Sequence, residues 1–258
     1  MPKFSANLTM LFNEVEFLGR FERAAKAGFR AVEYMFPYEW PKEKLAGELE
    51  SHKLEQVLFN LPAGDWAAGE RGIACLPGRE REFKDGVETA LAYAQALRCP
   101  TLNCLVGLTP EGPEPDRVRQ TLVNNLQFAA AALEKAGVRL VIEMLNDNAV
   151  PGFHLVRTRE ALRLLDEVNH PNLRLQYDVY HMQIMEGNLI DTMSANMSRI
   201  GHIQIADNPG RHEPGTGEIN FANVFAAIDE AGYNGWIGCE YAPAGKTEEG
   251  LRWMEAYK

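Results

Sequence analysis

Short apolar runs alternate with amphipathic stretches along the whole chain, and eight such pairs can be counted. Residues 4–9 read as a first strand and 15–27 as its helix, with Gly28 where a C-terminal cap is expected. Strands follow at 31–35, 56–60 and 101–106. Between them lie helical patterns at 41–52, where Pro41 suits a helix start, and at 80–97. A Pro- and Glu-rich stretch, 109–116, leads into a long amphipathic helix ending near Ala136 and Gly137. The last four runs end at Glu143, Asp178, Gln204 and Glu240, and helices are predicted near 158–168, 189–197, 221–231 and from Thr247. One loop is long, 61–78, rich in Gly, Ala and Pro and carrying Asp65, Trp66 and Arg71. Such loops are often lids or binding loops. Eight repeats of strand and helix favour a closed (β/α)8 barrel, a TIM barrel, over an open sheet. At 258 residues the chain has the size of one such domain.

The four run-ending polar residues carry the chemistry. In a parallel α/β barrel the strand C-termini open onto one face, so Glu143, Asp178, Gln204 and Glu240 should converge. Alternation along the strands agrees, because Arg139, Val141 and Glu143 share a face, as do Arg174, Gln176 and Asp178, and Trp236, Gly238 and Glu240. Gly238 is expected to leave room for Glu240. Any one of these carboxylates alone reads more readily as a helix cap or an ion-pair partner. Three together would repel and raise one another's pKa, and a divalent cation among them resolves the conflict.

Asp178 is followed three residues later by His181, just beyond a strand. The imidazole reads as a substrate contact beside the metal, against the plainer reading of a loop histidine bonded to backbone. His202, two residues before Gln204, fits either a buttress for a ligand or a satisfied core histidine, and Gln176 below Asp178 has the same ambiguity. Segment 207–215 is turn chemistry, and within it Arg211, with His212, suits a grip on a substrate carboxylate. His154 is a weaker candidate.

Composition narrows the classes. A formal net charge of −10 opposes binding to nucleic acid, which needs a dense field of Lys and Arg. No apolar run approaches the ~20 residues of a membrane helix and the first residues hold no apolar signal core, so a soluble cytoplasmic protein is expected. Cys75, Cys99, Cys104 and Cys239 form no Cys-x-x-Cys pair and read as buried thiols.

The chain resembles the hydroxypyruvate isomerase family, within the wider xylose-isomerase-like barrel superfamily. The likeness is carried by Val32-Glu33 with Phe36-Pro37-Tyr38, Leu58-Phe59-Asn60 with Gly64-Asp65, Leu76-Pro77-Gly78-Arg79-Glu80 and Gln176-Tyr177-Asp178 with His181. It continues in Gly187-Asn188-Leu189, His202-Ile203-Gln204-Ile205-Ala206, Arg211-His212-Glu213-Pro214, Gly217-Glu218-Ile219-Asn220 and the segment from Gly232 to Tyr241. The resemblance implies a metal-dependent aldose–ketose isomerase that interconverts hydroxypyruvate and tartronate semialdehyde through an enediolate. Glu143 and Glu240 would be its acid/base pair, and Glu143, Asp178, Gln204 and Glu240 its metal ligands. Many superfamily members hold a histidine where Gln204 stands. An all-oxygen set favours Mg²⁺ or Mn²⁺ over Zn²⁺. The partner implied is a small 2-oxo or hydroxy acid, with association into a homo-oligomer left open. A 2-oxo-tetronate isomerase or a related epimerase would use the same residues. An endonuclease IV-like nuclease is opposed by the acidic charge and sparse histidines, and a non-catalytic binding protein by the complete carboxylate set.

Overall fold

Each of the eight apolar runs is a strand, and the strands close on one another in chain order. A computed structural model describes residues 1–257. The strands are β1 (Lys3–Asn7), β2 (Ala31–Glu33), β3 (Glu55–Asn60), β4 (Thr101–Cys104), β5 (Arg139–Glu143), β6 (Leu173–Asp178), β7 (Ile200–Ile205) and β8 (Trp236–Cys239). All pairings are parallel, and β8 returns to β1. The helices are α1 (Gly19–Lys26), α2 (Lys42–His52), α3 (Glu80–Leu97), α4 (Pro115–Lys135), α5 (Thr158–Val168), α6 (Val179–Met185), α7 (Leu189–Asn196), α8 (Phe221–Glu230) and α9 (Thr247–Gly250). The expected eight-stranded TIM barrel is therefore present.

Local sequence explains most boundaries. In α5, Ala161, Leu164, Leu165 and Val168 are buried, the spacing of a single apolar stripe. Gly28 and Gly137 both take positive φ just past a helix, as their positions predict. Helix α1 begins four residues later than its periodicity suggests. Phe12, at φ 58°, and a run of short-range turn bonds such as Val15 N–H to the Phe12 carbonyl (3.2 Å) occupy the preceding segment. Helix α6 was not foreseen. It starts directly at the end of β6 with no Gly or Pro between, and seven residues are too few to show a period. Asp178 caps it, accepting the Tyr180 N–H at 2.8 Å, so His181 stands on a helix rather than in a loop.

Register sets the height of the polar residues. Glu143 lies opposite Gln176, Asp178 opposite Gln204, and Gln204 opposite Gly238. Pairing skips one residue between β2 and β3 at Val32/Glu33 and between β6 and β7 at Leu175/Gln176, both beside the polar cluster. The main apolar core joins strands and helices, while Ala31, Val57, Leu58 and Val141 form a separate small cluster with Trp236 against it. All four cysteines are buried and free. Among the described residues no helix is long and apolar enough to cross a membrane.

Gly238 makes room for a different carboxylate from the one expected. A Cβ there would stand 2.3 Å from Glu33 Oε1, so the vacant volume belongs to Glu33 and not to Glu240. Gly238→Ala should lower the stability to urea by about 1–3 kcal/mol, because neither the β8 backbone nor the tightly bonded Glu33 can move aside. An unfolding midpoint within error of the parent protein would contradict this packing.

Candidate active site

Four strand ends and two loops build one buried polar cluster. Glu143, Asp178, Gln204 and Glu240 are all buried, as the strand geometry predicts. A cavity of about 150 Å³ is lined by Glu143, Gln204, Glu240, His181 and Arg211, together with Trp66 and Arg71 from the long loop between β3 and α3. Two asparagines orient the glutamates. Asn103 Nδ2 donates to Glu143 Oε2 (3.1 Å), and Asn7 Nδ2 reaches both Glu240 Oε1 (3.1 Å) and Glu33 Oε1 (3.2 Å).

Beneath them lies Glu33, fully buried. Its carboxylate accepts Ser5 Oγ (3.0 Å) and Gln204 Nε2 (2.7 Å) and bonds His202 Nε2 (2.8 Å), besides the Asn7 contact. Burial alone would push this carboxyl up, but the charge of His202 and the donors of His202, Gln204 and Asn7 prevail and hold it below its usual value. His202 is thus a buttress, and what it supports is Glu33, which in turn holds the amide of Gln204. An ionised carboxylate accepts only, so the NH₂ of Gln204 must face Glu33 and its carbonyl oxygen the other way, where it accepts Gln176 Nε2 (2.5 Å).

The upper carboxylates are perturbed in the opposite sense. Burial first, then repulsion from Glu240 and Asp178, push the Glu143 carboxyl well above its usual value. Burial also raises Glu240, to about 7, against the opposing pull of Arg211. Arg211 Nη2 donates to Glu240 Oε2 at 2.6 Å and lies 3.5 Å from Asp178 Oδ2. The turn that presents it is fixed by buried Asp207, whose oxygens accept the N–H groups of Asn208, Gly215, Gly217 and Ile219 at 2.8–3.1 Å. The other half of the expected carboxylate grip is not assembled. His212 bonds the Ala242 carbonyl through Nδ1 (2.7 Å) and does not line the cavity, because the strand-like pairing of Asp207 with His212 turns it toward the segment after β8. His154 is likewise apart, bonded to Thr109 Oγ1.

His181 does reach the cluster. Its Nδ1 accepts the Asn146 N–H at 3.0 Å, which leaves the ring hydrogen on Nε2, 3.5 Å from Asp178 Oδ2. Burial lowers its pKa to about 4, so the ring is neutral near pH 7.

The donor set fits a divalent cation. Ligand atoms of Glu143, Asp178 and His181 lie within 4.8 Å of one another. Glu143 Oε1 and Asp178 Oδ2 are buried without any hydrogen-bond partner, a costly arrangement that a cation between them would relieve. Sequence reasoning passed over Asn7 and Asn103, and gave Glu33 no role beyond the likeness it carries. Each ends or nearly ends a strand, the same signal that singled out the other four.

The model of the family described as xylose isomerase-like TIM barrel matches residues 21–257. The chain belongs to this family. Among curated members it is 58% identical to the hydroxypyruvate isomerase of Escherichia coli (strain K12) over 258 residues, covering 100% of both chains. It is 46% identical to the 2-oxo-tetronate isomerase of Pectobacterium atrosepticum over 257 residues, covering 100% of this chain and 98% of that one. A crystal structure from Brucella melitensis, described as an AP endonuclease of family 2, is 48% identical, with a TM-score of 0.98 and full coverage of both chains. In this family member the buried carboxylates of Glu143 and Asp178, with His181 beside them, make a cluster whose composition suits a metal ion.

Glu143 and Glu240 hold protons more readily in the folded than in the unfolded chain. The stability they lend is complete below their ordinary value of 4.5 and is lost as pH rises through about 7. His181, depressed from 6.5 to about 4, acts in the opposite sense between those two values and not above them. The metal-free protein should therefore lose thermal stability as pH rises from about 4.5 to 7, most steeply above about 6.5 where His181 no longer opposes the loss, and Mn²⁺ should raise Tm more at the upper end. A flat metal-free Tm over that interval would contradict the buried acidic cluster.

Proposed function

We propose that the protein is a divalent-metal-dependent isomerase interconverting hydroxypyruvate and tartronate semialdehyde. The observation that carries the reading is the pair of buried glutamates with raised pKa, Glu143 and Glu240, beside unpartnered carboxylate oxygens in a barrel 58% identical to a hydroxypyruvate isomerase. Glu143, Asp178, Gln204 and Glu240 would hold the ion. Their oxygen-only chemistry suits Mg²⁺ or Mn²⁺. Bound there, an ion would supply the positive charge that stabilises the enediolate.

The chain's own groups move the protons. One of Glu143 and Glu240 takes a proton from the CH₂OH carbon of hydroxypyruvate; the electron pair moves to the neighbouring carbonyl, giving the enediolate. A proton then returns to that neighbouring carbon, while the hydroxyl proton passes from the terminal oxygen, which becomes the aldehyde, to the former carbonyl oxygen, which becomes the new hydroxyl. Burial raises both carboxyls, bringing them closer to the pH at which acid and base forms are both populated. Asn103 and Asn7 aim the two carboxyls. His181 would donate its Nε2 hydrogen to a substrate oxygen. Arg211 holds Glu240 and retains a buried, unpartnered Nε for the substrate. With Nδ1 bonded to Asn146, His181 has no lone pair on Nε2, which favours a substrate contact over metal ligation.

A second reading, a 2-oxo-tetronate isomerase, is favoured by relatives at 46% identity. The same proton transfers would apply to the longer acid. Cleavage of DNA finds no support in a chain of net charge −10.

Proton NMR in D₂O of hydroxypyruvate with metal-stripped protein, before and after Mg²⁺ or Mn²⁺, tests the reading. Tartronate semialdehyde bearing deuterium on carbon should appear only after metal addition. Conversion of 2-oxo-tetronate alone would select the second reading. Glu143→Gln and Glu240→Gln should each lower kcat by about 10²–10⁴-fold with the barrel still folded by circular dichroism. Near-parental turnover in both would remove them from the chemistry.

A further inference from the structure

Resting on the 2-oxo-acid reading, we propose that Arg71, in the loop between β3 and α3, binds the carboxylate of the substrate. Charge balance in the cavity raises the need. With a divalent cation bound as proposed, the ionised carboxylates of Glu143, Asp178 and Glu240 would be balanced by its two charges and the Arg211 guanidinium. A substrate carboxylate then adds a negative charge that nothing in the cluster offsets. Arg211 already commits its Nη2 to Glu240 and Asp178, and His181 accepts the Asn146 N–H at Nδ1, which leaves it a single Nε2 hydrogen to offer. Among the described residues, Arg71 is the remaining cation lining the cavity.

Its local geometry is that of a prepared anion fork. The guanidinium lies over the Trp66 ring, 3.9 Å from the centroid, and Trp66 packs edge-on against Phe36. Nη1 alone is engaged, donating to the carbonyls of Glu70 (2.7 Å) and Trp66 (3.2 Å). Among the described residues Nε and Nη2 have no partner, and that edge of a guanidinium is the one that accepts a carboxylate through two parallel hydrogen bonds. The adjacent acid does not compete. Glu70 is tied to Arg79 (2.6 and 3.3 Å) and to the Asp65 N–H (2.6 Å).

The backbone beside Arg71 is held as well. Gly72 takes φ 112°, and a Cβ there would come within 2.0 Å of the Leu105 carbonyl oxygen, so the loop presses directly on the segment after β4. Gly72 N–H also bonds the Ala63 carbonyl at 2.9 Å. Arg71 is therefore placed at the cavity by a loop anchored on both sides. Trp66 is the ring on which its plane rests.

The test compares Arg71→Met and Arg71→Lys with the parent, all loaded with Mn²⁺. With hydroxypyruvate, Arg71→Met should raise KM by about 10- to 100-fold, the worth of a charge-assisted bidentate contact, and Arg71→Lys should recover part of the loss. Tartronate, read by calorimetric titration, should lose affinity in parallel. Dihydroxyacetone, which has CH₂OH in place of the carboxylate of hydroxypyruvate, should keep its affinity as a competitive inhibitor of either variant. Mn²⁺ affinity should be unchanged. If the parent isomerises hydroxypyruvate and Arg71→Met keeps KM and tartronate affinity within about twofold, the assignment of Arg71 is overturned while the activity stands. Equal losses for tartronate and dihydroxyacetone would overturn it too, since a carboxylate clamp discriminates between them. If the parent does not turn over hydroxypyruvate, the proposed activity fails, and the tartronate titration alone decides whether Arg71 binds carboxylates.

Discussion

The barrel's active end depends on one buried carboxylate that is fully satisfied. Glu33 has no exposure to solvent, and its oxygens engage side chains of β1 and β7 while Gly238 of β8 leaves the space it fills. An ion so buried would cost several kcal/mol without partners, and four surrounding groups offset that cost. Its partners are oriented in return. Gln204 must offer its carbonyl oxygen away from Glu33, and Asn7 spans Glu33 and Glu240. The orientation of residues at the reacting surface is thus inherited from a group that never reaches the cavity.

Other carboxylates at strand ends are left in the opposite condition. Glu33 is held below its usual pKa by donors, whereas Glu143 is raised by burial and by its acidic neighbours. Glu143 Oε1 and Asp178 Oδ2 have no hydrogen-bond partner. Such an arrangement destabilises the fold unless a cation or protons enter, and it is the same arrangement that brings carboxyls into the range of acid and base chemistry near pH 7. Stability in the lower layer and reactivity in the upper one come from a single difference, the number of donors facing each carboxylate.

The loops add what the strands cannot. Asp207, bonded by four backbone N–H groups, stiffens the turn that carries Arg211 into the acidic cluster. The longer loop after β3 brings Trp66 and Arg71 to the same cavity. Rigid strand ends supply the anionic groups and anchored loops supply the cations, so the positive side of the site has more freedom to vary among barrels of this kind.

Eight strands, their order and the convergence of Glu143, Asp178, Gln204 and Glu240 were legible in the sequence, because period-two runs ending in polar residues have one meaning in a parallel barrel. The sequence also marked loop 61–78 and the turn around Arg211. It did not separate His181, which reaches the cluster, from His212, which bonds the Ala242 carbonyl, since that choice depends on an unforeseen helix and on a backbone pairing. Nor did it assign the space at Gly238 to Glu33, a residue 205 positions away in the chain and adjacent only once the barrel closes. Local pattern determined which residues stand at strand ends. Only the closed barrel decided which oxygens found donors and which were left facing one another, because hydrogen-bond partners across a barrel come from strands that have no sequence proximity.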